Sequence, residues 1–208
     1  MSRSDDHFST QRHVLRPETT VEHVDEFARG HSWPMVGVTE RDRAAGTDGE
    51  VVWKADGYAA QGNRVLRSGS LHYVEDAMFG IGCVRFSGTP KAAAQSAAAT
   101  AVQTLRPWTV GDLCQAFDGS PDPRARGQAV LRLGLAAPSK PDQQVLRRIG
   151  TALADQDARV RYASVFAASY TRYEAFLPNL RAMAQRDPED FVRDRAAYAL
   201  RSLDKVRA

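Results

Sequence analysis

The sequence predicts a mixed fold. A small α+β domain with an antiparallel sheet is expected over residues 13–108, behind a polar, flexible tail of residues 1–12. A short all-α stack of about three helical hairpins is expected over residues 109–208. Three observations carry this. An acidic residue, two further positions, then Val or Ala and then Arg recurs three times in the last hundred residues. Short apolar stretches separated by Gly and Asp turns fill residues 34–88. An Ala-rich run, "KAAAQSAAATAVQTL", leads from one pattern to the other.

The elements follow in chain order. In "RPETTVEHVDEFARGHSWP", Thr19 or Thr20 offers a helix cap with Glu22 behind it. Val21, Val24 and Phe27 form an apolar stripe, and Gly30 stops the helix. "PMVGVTE" and "EVVWKADGY" are strand candidates on either side of the polar loop "RDRAAGTDGE". "GSLHYVEDAMFGIGCVRFSG" predicts two strands joined by a turn near Asp76 to Met78. In the second of these, Cys83 and Arg85 alternate with Val84 and Phe86, so both faces should be partly covered. Thr89 is then expected to cap a helix with Pro90 at its first position.

From residue 109 the period changes to 3.6. Val110, Leu113, Cys114 and Phe117 make one stripe; Ala129, Val130 and Leu133 a second; Val145, Ile149 and Leu153 a third. Val160, Ala163, Ala167 and Tyr170 follow, then Phe176, Leu177, Leu180 and Met183, then Val192, Ala196, Ala199, Leu200 and Leu203. The recurring acidic residues Asp122, Asp157 and Glu189 stand 35 and 32 residues apart, each followed four positions on by Arg126, Arg161 or Arg193. An Asp in that place can accept hydrogen bonds from the free N–H groups of the helix it precedes, worth about 1 kcal/mol. A single hairpin cannot cover its own apolar stripe, so the units must stack.

These residues resemble a HEAT repeat, and in their short period the PBS-lyase-type HEAT repeats. The resemblance spans roughly residues 109–208. It implies a HEAT-like α-solenoid in which the acidic residue and the Arg form a ladder within and between units. Asp122, Arg126, Asp157, Arg161, Glu189 and Arg193 are accordingly assigned structural roles. The Ala-rich helix from Pro90 to Leu105 is expected to cap the stack on Val110, Leu113 and Phe117, with Trp108 in the seam.

Chemistry is sparse. No Walker A, GxSxG or HExxH pattern occurs, and "GIGCVRFSG" carries its glycines inside a strand rather than at a strand-to-helix turn. His7 and His13 fall in the N-terminal region, and His23 and His31 bracket a helix without the spacing of a metal pair. His72 stands near Glu75 and Asp76, the one grouping that suggests acid–base or metal chemistry, against a plain half-exposed strand. Cys83 and Cys114 form no CxxC pair and favour a reducing, cytoplasmic setting. No catalytic residue, cofactor or metal ligand is assigned, and a non-catalytic role is favoured. "MSRSDDHFSTQRHV" lacks the apolar core of a signal peptide, and no run is long enough to span a bilayer.

The net charge of +3 is uneven. Residues 1–108 hold twelve Lys+Arg against thirteen Asp+Glu; residues 109–208 hold the other sixteen against twelve. Arg132, Arg147, Arg148, Arg159, Arg172, Arg181 and Arg195 are the candidate interaction surface. The favoured function is an adaptor, scaffold or immunity-type bacterial protein that binds a protein partner through the HEAT-like helices. The alternative is a nucleic-acid-binding or DNA-repair protein, which would need those arginines in one continuous stripe. The bilin chemistry of some PBS-lyase-type proteins is set aside, because repeats alone do not specify an activity.

Overall fold

The structure, a computed structural model, describes residues 8–57, 59–60, 64–66 and 68–207. Two compact units make up the chain, Met1–Trp108 and Thr109–Ala208.

In the first unit the described strands are β1 (Phe8–Ser9), β2 (His13–Val14), β3 (Met35–Thr39), β4 (Gly49–Lys54), β5 (Ala59–Ala60), β6 (Arg64–Val65), β7 (Ser68–Glu75) and β8 (Gly82–Thr89). Helix α1 (Val21–Gly30) lies between β2 and β3, and α2 (Lys91–Leu105) follows β8. The main sheet is antiparallel in the order β1-β8-β7-β4-β3, with β2 also on β8; β5 and β6 pair separately. The register sets two apolar rows across the sheet, Trp53–Leu71–Phe86 and Val51–Tyr73–Val84. Strand alternation turns these rows to one face, where they share a core with Val24 and Phe27 of α1 and Ala93, Ala94, Ala97, Ala98 and Ala101 of α2. The alanines let α2 approach the sheet closely. The buried indole of Trp53 donates to Asp25 of α1 at 2.9 Å, which satisfies its one polar atom. Gly88 is required where β8 crosses β7: its φ is +144°, and a side chain would lie 2.2 Å from the Ser68 carbonyl oxygen.

Two details depart from the sequence expectation. The tail assigned to residues 1–12 is paired from Phe8: Phe8 and Ser9 lie opposite Gly88 and Ser87, and the Thr10 amide donates to the Phe86 carbonyl at 2.8 Å. A short polar stretch can still complete a sheet edge, because main-chain groups make the ladder. Thr89 ends β8 instead of capping α2, and Pro90 takes the cap position. The small-residue face of α2 packs inside its own unit, against β8 and α1. Trp108 is held there too, its amide on the Val14 carbonyl at 2.8 Å and its ring under the Arg16 guanidinium at 4.1 Å. At the edge, Met35, Val36 and Val38 of β3 are exposed, and a bulge between Met35 and Gly37 interrupts the ladder.

The second unit holds α3 (Val110–Asp118), α4 (Pro123–Ala136), α5 (Gln143–Leu153), α6 (Ala158–Thr171), a 3-10 turn at Glu174–Phe176, α7 (Leu177–Arg186) and α8 (Asp190–Arg207). They pair as α3/α4, α5/α6 and α7/α8. The second helices α4, α6 and α8 stack on one another, and α3 packs on α5. Nearly every residue of the predicted stripes is buried, from Leu113 and Phe117 through Val130, Ile149, Ala163 and Leu180 to Val192 and Ala199. Val110, Tyr170, Leu200 and Leu203 are only half-buried.

Candidate interaction surface

The repeated phrase forms the N-terminal turn of each second helix. Asp122 caps α4, accepting from the Ala125 amide at 2.9 Å, and Asp157 caps α6, accepting from the Arg159 amide at 2.8 Å. Glu189 holds the equivalent place before α8, its carbonyl accepting from the Val192 and Arg193 amides. The repeated arginines turn back on the chain. Arg126 donates to the carbonyls of Ser120 and Pro121, Arg161 to those of Asp155 and Gln156, and Arg193 to those of Asp187 and Pro188.

The ladder between units uses residues that the resemblance did not point to. Arg126 meets Asp155 through two bonds of 3.1 Å, and Arg161 meets Asp187 at 2.8 and 2.9 Å. Each of these acids lies two residues ahead of the next cap and also accepts that residue's amide, Asp157 at 2.9 Å and Glu189 at 3.0 Å. The signal in the sequence is faint: an Asp two places before the cap in "DQD" and "DPE", where the first copy reads "SPD".

Asp157 and Asp187 are held ionised. The Arg159 side chain and amide hold Asp157 down to about 2. Burial raises Asp187, but hydrogen bonds from Arg161 and the Glu189 amide outweigh it and leave the carboxyl below its usual range. A carboxyl depressed in the folded state contributes stability above its unfolded value, about 3.9, and loses it as pH falls through the folded value. Thermal stability of the helical unit should therefore fall as pH drops from about 4 toward 2. Asp157→Asn keeps a capping side chain but cannot ionise, so its melting curve should flatten across that window. An unchanged acid slope in Asp157→Asn would refute the assignment.

The seven candidate arginines are spread over the first and the second helices of the pairs. Arg147 and Arg148 lie on α5 and Arg181 on α7, while Arg132, Arg159 and Arg195 lie on α4, α6 and α8; Arg172 ends α6 in the left-handed conformation. Several are engaged locally. Arg148 grips Asp118 of α3 at 2.6 Å, and Arg159 folds onto its own cap, Asp157, at 2.7 Å. Desolvation lowers Arg132, which lies half-buried. Arg147 and Arg181 are exposed on the first helices.

What the fold does bring together is an aromatic and arginine patch on α6 and α8. Tyr162, Phe166 and Tyr170 follow one another at helical spacing, with rings 5.2 and 6.4 Å apart. Phe191 meets Tyr162 at 5.5 Å. The Arg195 guanidinium lies 3.6 Å over Phe166 and 4.8 Å from the Tyr198 ring. Phe191 and Tyr198 remain 45% and 53% exposed. Large apolar rings left in water on a stacked helix are a mark of recognition surfaces. Of these residues, sequence reading singled out Arg195 alone as a candidate; the signal for the others was the spacing of aromatic residues at 162, 166 and 170 and at 191 and 198.

In the first unit His23, His31 and His72 have partners within the fold. The Thr20 amide donates to His23 Nδ1 at 3.1 Å, closing a capping box at α1. His31 contacts the Phe27 carbonyl at 2.9 Å and stacks on Trp33. His13 lies in β2, where burial lowers its pKa; His7 lies outside the described residues. His72 does not join Glu75 and Asp76. Its Nδ1 meets Glu50 Oε1 at 2.9 Å and its Nε2 meets Ser87 Oγ at 2.7 Å, while Arg85 holds Glu50 at 3.2 Å. Asp76 instead accepts from the Met78 and Phe79 amides in the β7–β8 turn, and Glu75 pairs with Arg41. The reason is geometric: the sheet register sets His72 beside Arg85, with Glu50 and Ser87 diagonal to it, while Asp76 already belongs to the turn. The Ser–His–Glu order is that of a proton relay, but Ser87 is 4% exposed, so the hydroxyl faces strand neighbours. Burial pushes the Cys83 thiol up to about 12 and raises Cys114, which keeps both protonated. Among the described residues no group of three or more His, Cys, Asp and Glu could hold a metal, and no helix is long and apolar enough to cross a membrane.

Neither a curated protein nor a solved structure matches this chain. A family model does, that of HEAT repeats, over residues 110–201. The ladder and the stacked pairs lie within that span, and the part of the chain from 110 to 201 is a HEAT-like segment.

Proposed function

We propose that this protein is a non-catalytic binding module, of adaptor, scaffold or immunity type, which holds a protein partner on the aromatic and arginine patch of α6 and α8. HEAT repeats are in general protein-interaction or scaffold modules. The observation that carries the reading here is the exposed pair Phe191 and Tyr198 beside the stacked Arg195. Tyr and Arg are the residue types that dominate protein interfaces, since each presents a large flat surface with few rotatable bonds or a fixed set of donors. The distribution of the candidate arginines over both helix layers gives less support to a continuous phosphate-binding stripe.

The test is affinity capture of the full chain from its native cells, with Phe191→Ser and Tyr170→Ser together as the comparison. Recovery of the captured protein should fall at least about tenfold in the double variant, because interface energy concentrates in a few anchors. Equal recovery would remove the patch from the interface. Titration with DNA and RNA is the opposing arm. Submicromolar binding at physiological salt, falling steeply as salt rises and lost in Arg147→Ala with Arg181→Ala, would replace this reading with nucleic-acid binding. Arg147 and Arg181 suit that arm because Arg148 is already tied to Asp118.

A further inference from the structure

The two internal junctions of the solenoid show what one of its second helices requires on its far side. Arg126 of α4 is met by Asp155, and Arg161 of α6 by Asp187, each acid entering two residues ahead of the next cap. The residue nine places after the cap is then covered. Leu131 is 5% exposed, and Phe166 is 1% exposed beneath the Arg195 guanidinium of α8.

On α8 the same two positions are filled by Arg193 and Tyr198. Arg193 is set as in the other copies, with Nη1 on the carbonyls of Asp187 and Pro188. Its remaining ion pair among the described residues is with Asp190 of its own helix, whose side chain is 85% exposed. Tyr198 lies open where Leu131 and Phe166 are covered. One helix therefore carries both halves of a repeat junction, the Arg and the large apolar residue, and its Tyr198 is open to solvent.

We infer that the outer side of α8 is a docking face for a helical hairpin of a partner protein, which continues the stack. The partner's hairpin enters with an Asp or Glu two residues ahead of its second-helix cap, and this acid takes the bidentate place on Arg193. A flat or small side chain of that helix covers Tyr198. The proposal rests on the protein-binding reading above and specifies its chemistry. A second copy of this chain is a poor occupant. Its first hairpin has Ser120 where the later ones have Asp155 and Asp187, so head-to-tail stacking brings a hydroxyl instead of a carboxylate. Tail-to-tail packing would set Arg193 and Arg201 of the two copies against each other.

The experiment uses the full chain in its native cells, with the photo-cross-linking residue p-benzoylphenylalanine in place of Tyr198 or, separately, of Tyr170. Cross-linked peptides are mapped by mass spectrometry. The expected adduct at 198 is a helical segment of another protein, with an acidic residue near the attachment point. Arg193→Lys keeps the charge and one bond to the Asp187 or Pro188 carbonyls but cannot grip a carboxylate with two parallel bonds, so it should lower the yield at 198 at least about fivefold. A circular dichroism melt within about 3 °C of wild type would show that Arg193→Lys leaves the fold intact; if it does not, Tyr198→Ser at an exposed position is assayed by affinity capture and should lose the same partner. Adducts at 170 but none at 198 would overturn the α8 junction and leave the protein-binding reading standing. Adducts at 198 to this chain itself, to nucleic acid, or to a segment without a nearby acid would overturn the junction too. No protein adduct at either position would overturn both.

Discussion

Gly134→Ala should cost the helical unit about 3 kcal/mol or more, an outsized loss for one added methyl group. Gly134 sits in α4 at its closest approach to α6. A Cβ there would fall 2.5 Å from the Ala167 Cα, 2.7 Å from its carbonyl oxygen and 2.8 Å from its Cβ. Two of those atoms are backbone, so no rotamer change relieves the overlap; the helices must separate and open the core around Val130, Leu133 and Phe166. Gly127, two turns earlier on the same helix, is the control. Its added Cβ would meet only the Ala163 Cβ, at 3.6 Å, an ordinary contact. Gly127→Ala should therefore be neutral or stabilising by up to about 1 kcal/mol, through helix propensity. Adding Ala167→Gly to Gly134→Ala should recover only a minor part of the loss, since it removes one of three overlaps. Urea denaturation followed by helical circular dichroism measures all four proteins. Equal stability of Gly134→Ala and Gly127→Ala would show that the α4–α6 crossing is looser than described.

Arg161→Ala should cost about 3 kcal/mol, at the lower end of what breaking a buried ion pair costs. The substitution strands Asp187, which is 7% exposed, and frees the carbonyls of Asp155 and Gln156 that Arg161 also holds. The larger part of the loss is the uncompensated carboxylate. Arg161→Met with Asp187→Leu should accordingly be more stable than Arg161→Ala alone, although the Glu189 amide then loses its acceptor. The equivalent change one unit earlier, Arg126→Ala, should cost less, because the Arg126 side chain is twice as exposed as that of Arg161 and water takes over more of its role. If both single changes fall within about 0.5 kcal/mol of wild type, the ladder adds nothing measurable.

The sequence by itself determined the helices, the four longer strands β3, β4, β7 and β8, and most of the helical unit's core. A recurring cap-and-arginine phrase, a 3.6-residue period and an Ala-rich run are local signals, and local geometry alone places Asp122 and Asp157 at helix starts. Alternation along β8 likewise announced that Val84 and Phe86 face one way and Cys83 and Arg85 the other. Tertiary structure decided what no local pattern could encode. Ladder partners lie 29 and 26 residues from their arginines, so only stacking reveals that Asp155 and Asp187, and not the caps, receive them. His72 found Glu50 and Ser87 through strand register across 22 and 15 residues rather than Glu75 and Asp76 beside it. The Ala-rich helix could have served any neighbour, and it was the row of Trp53, Leu71 and Phe86 that claimed its face. The aromatic and arginine patch is the same kind of fact. In the sequence only Tyr170 joins the inner stripe, with Val160, Ala163 and Ala167; the packing of α8 on α6 sets Phe166 beneath Arg195 and leaves Tyr198 in water. Burial is a property of two surfaces, and a sequence pattern describes one of them.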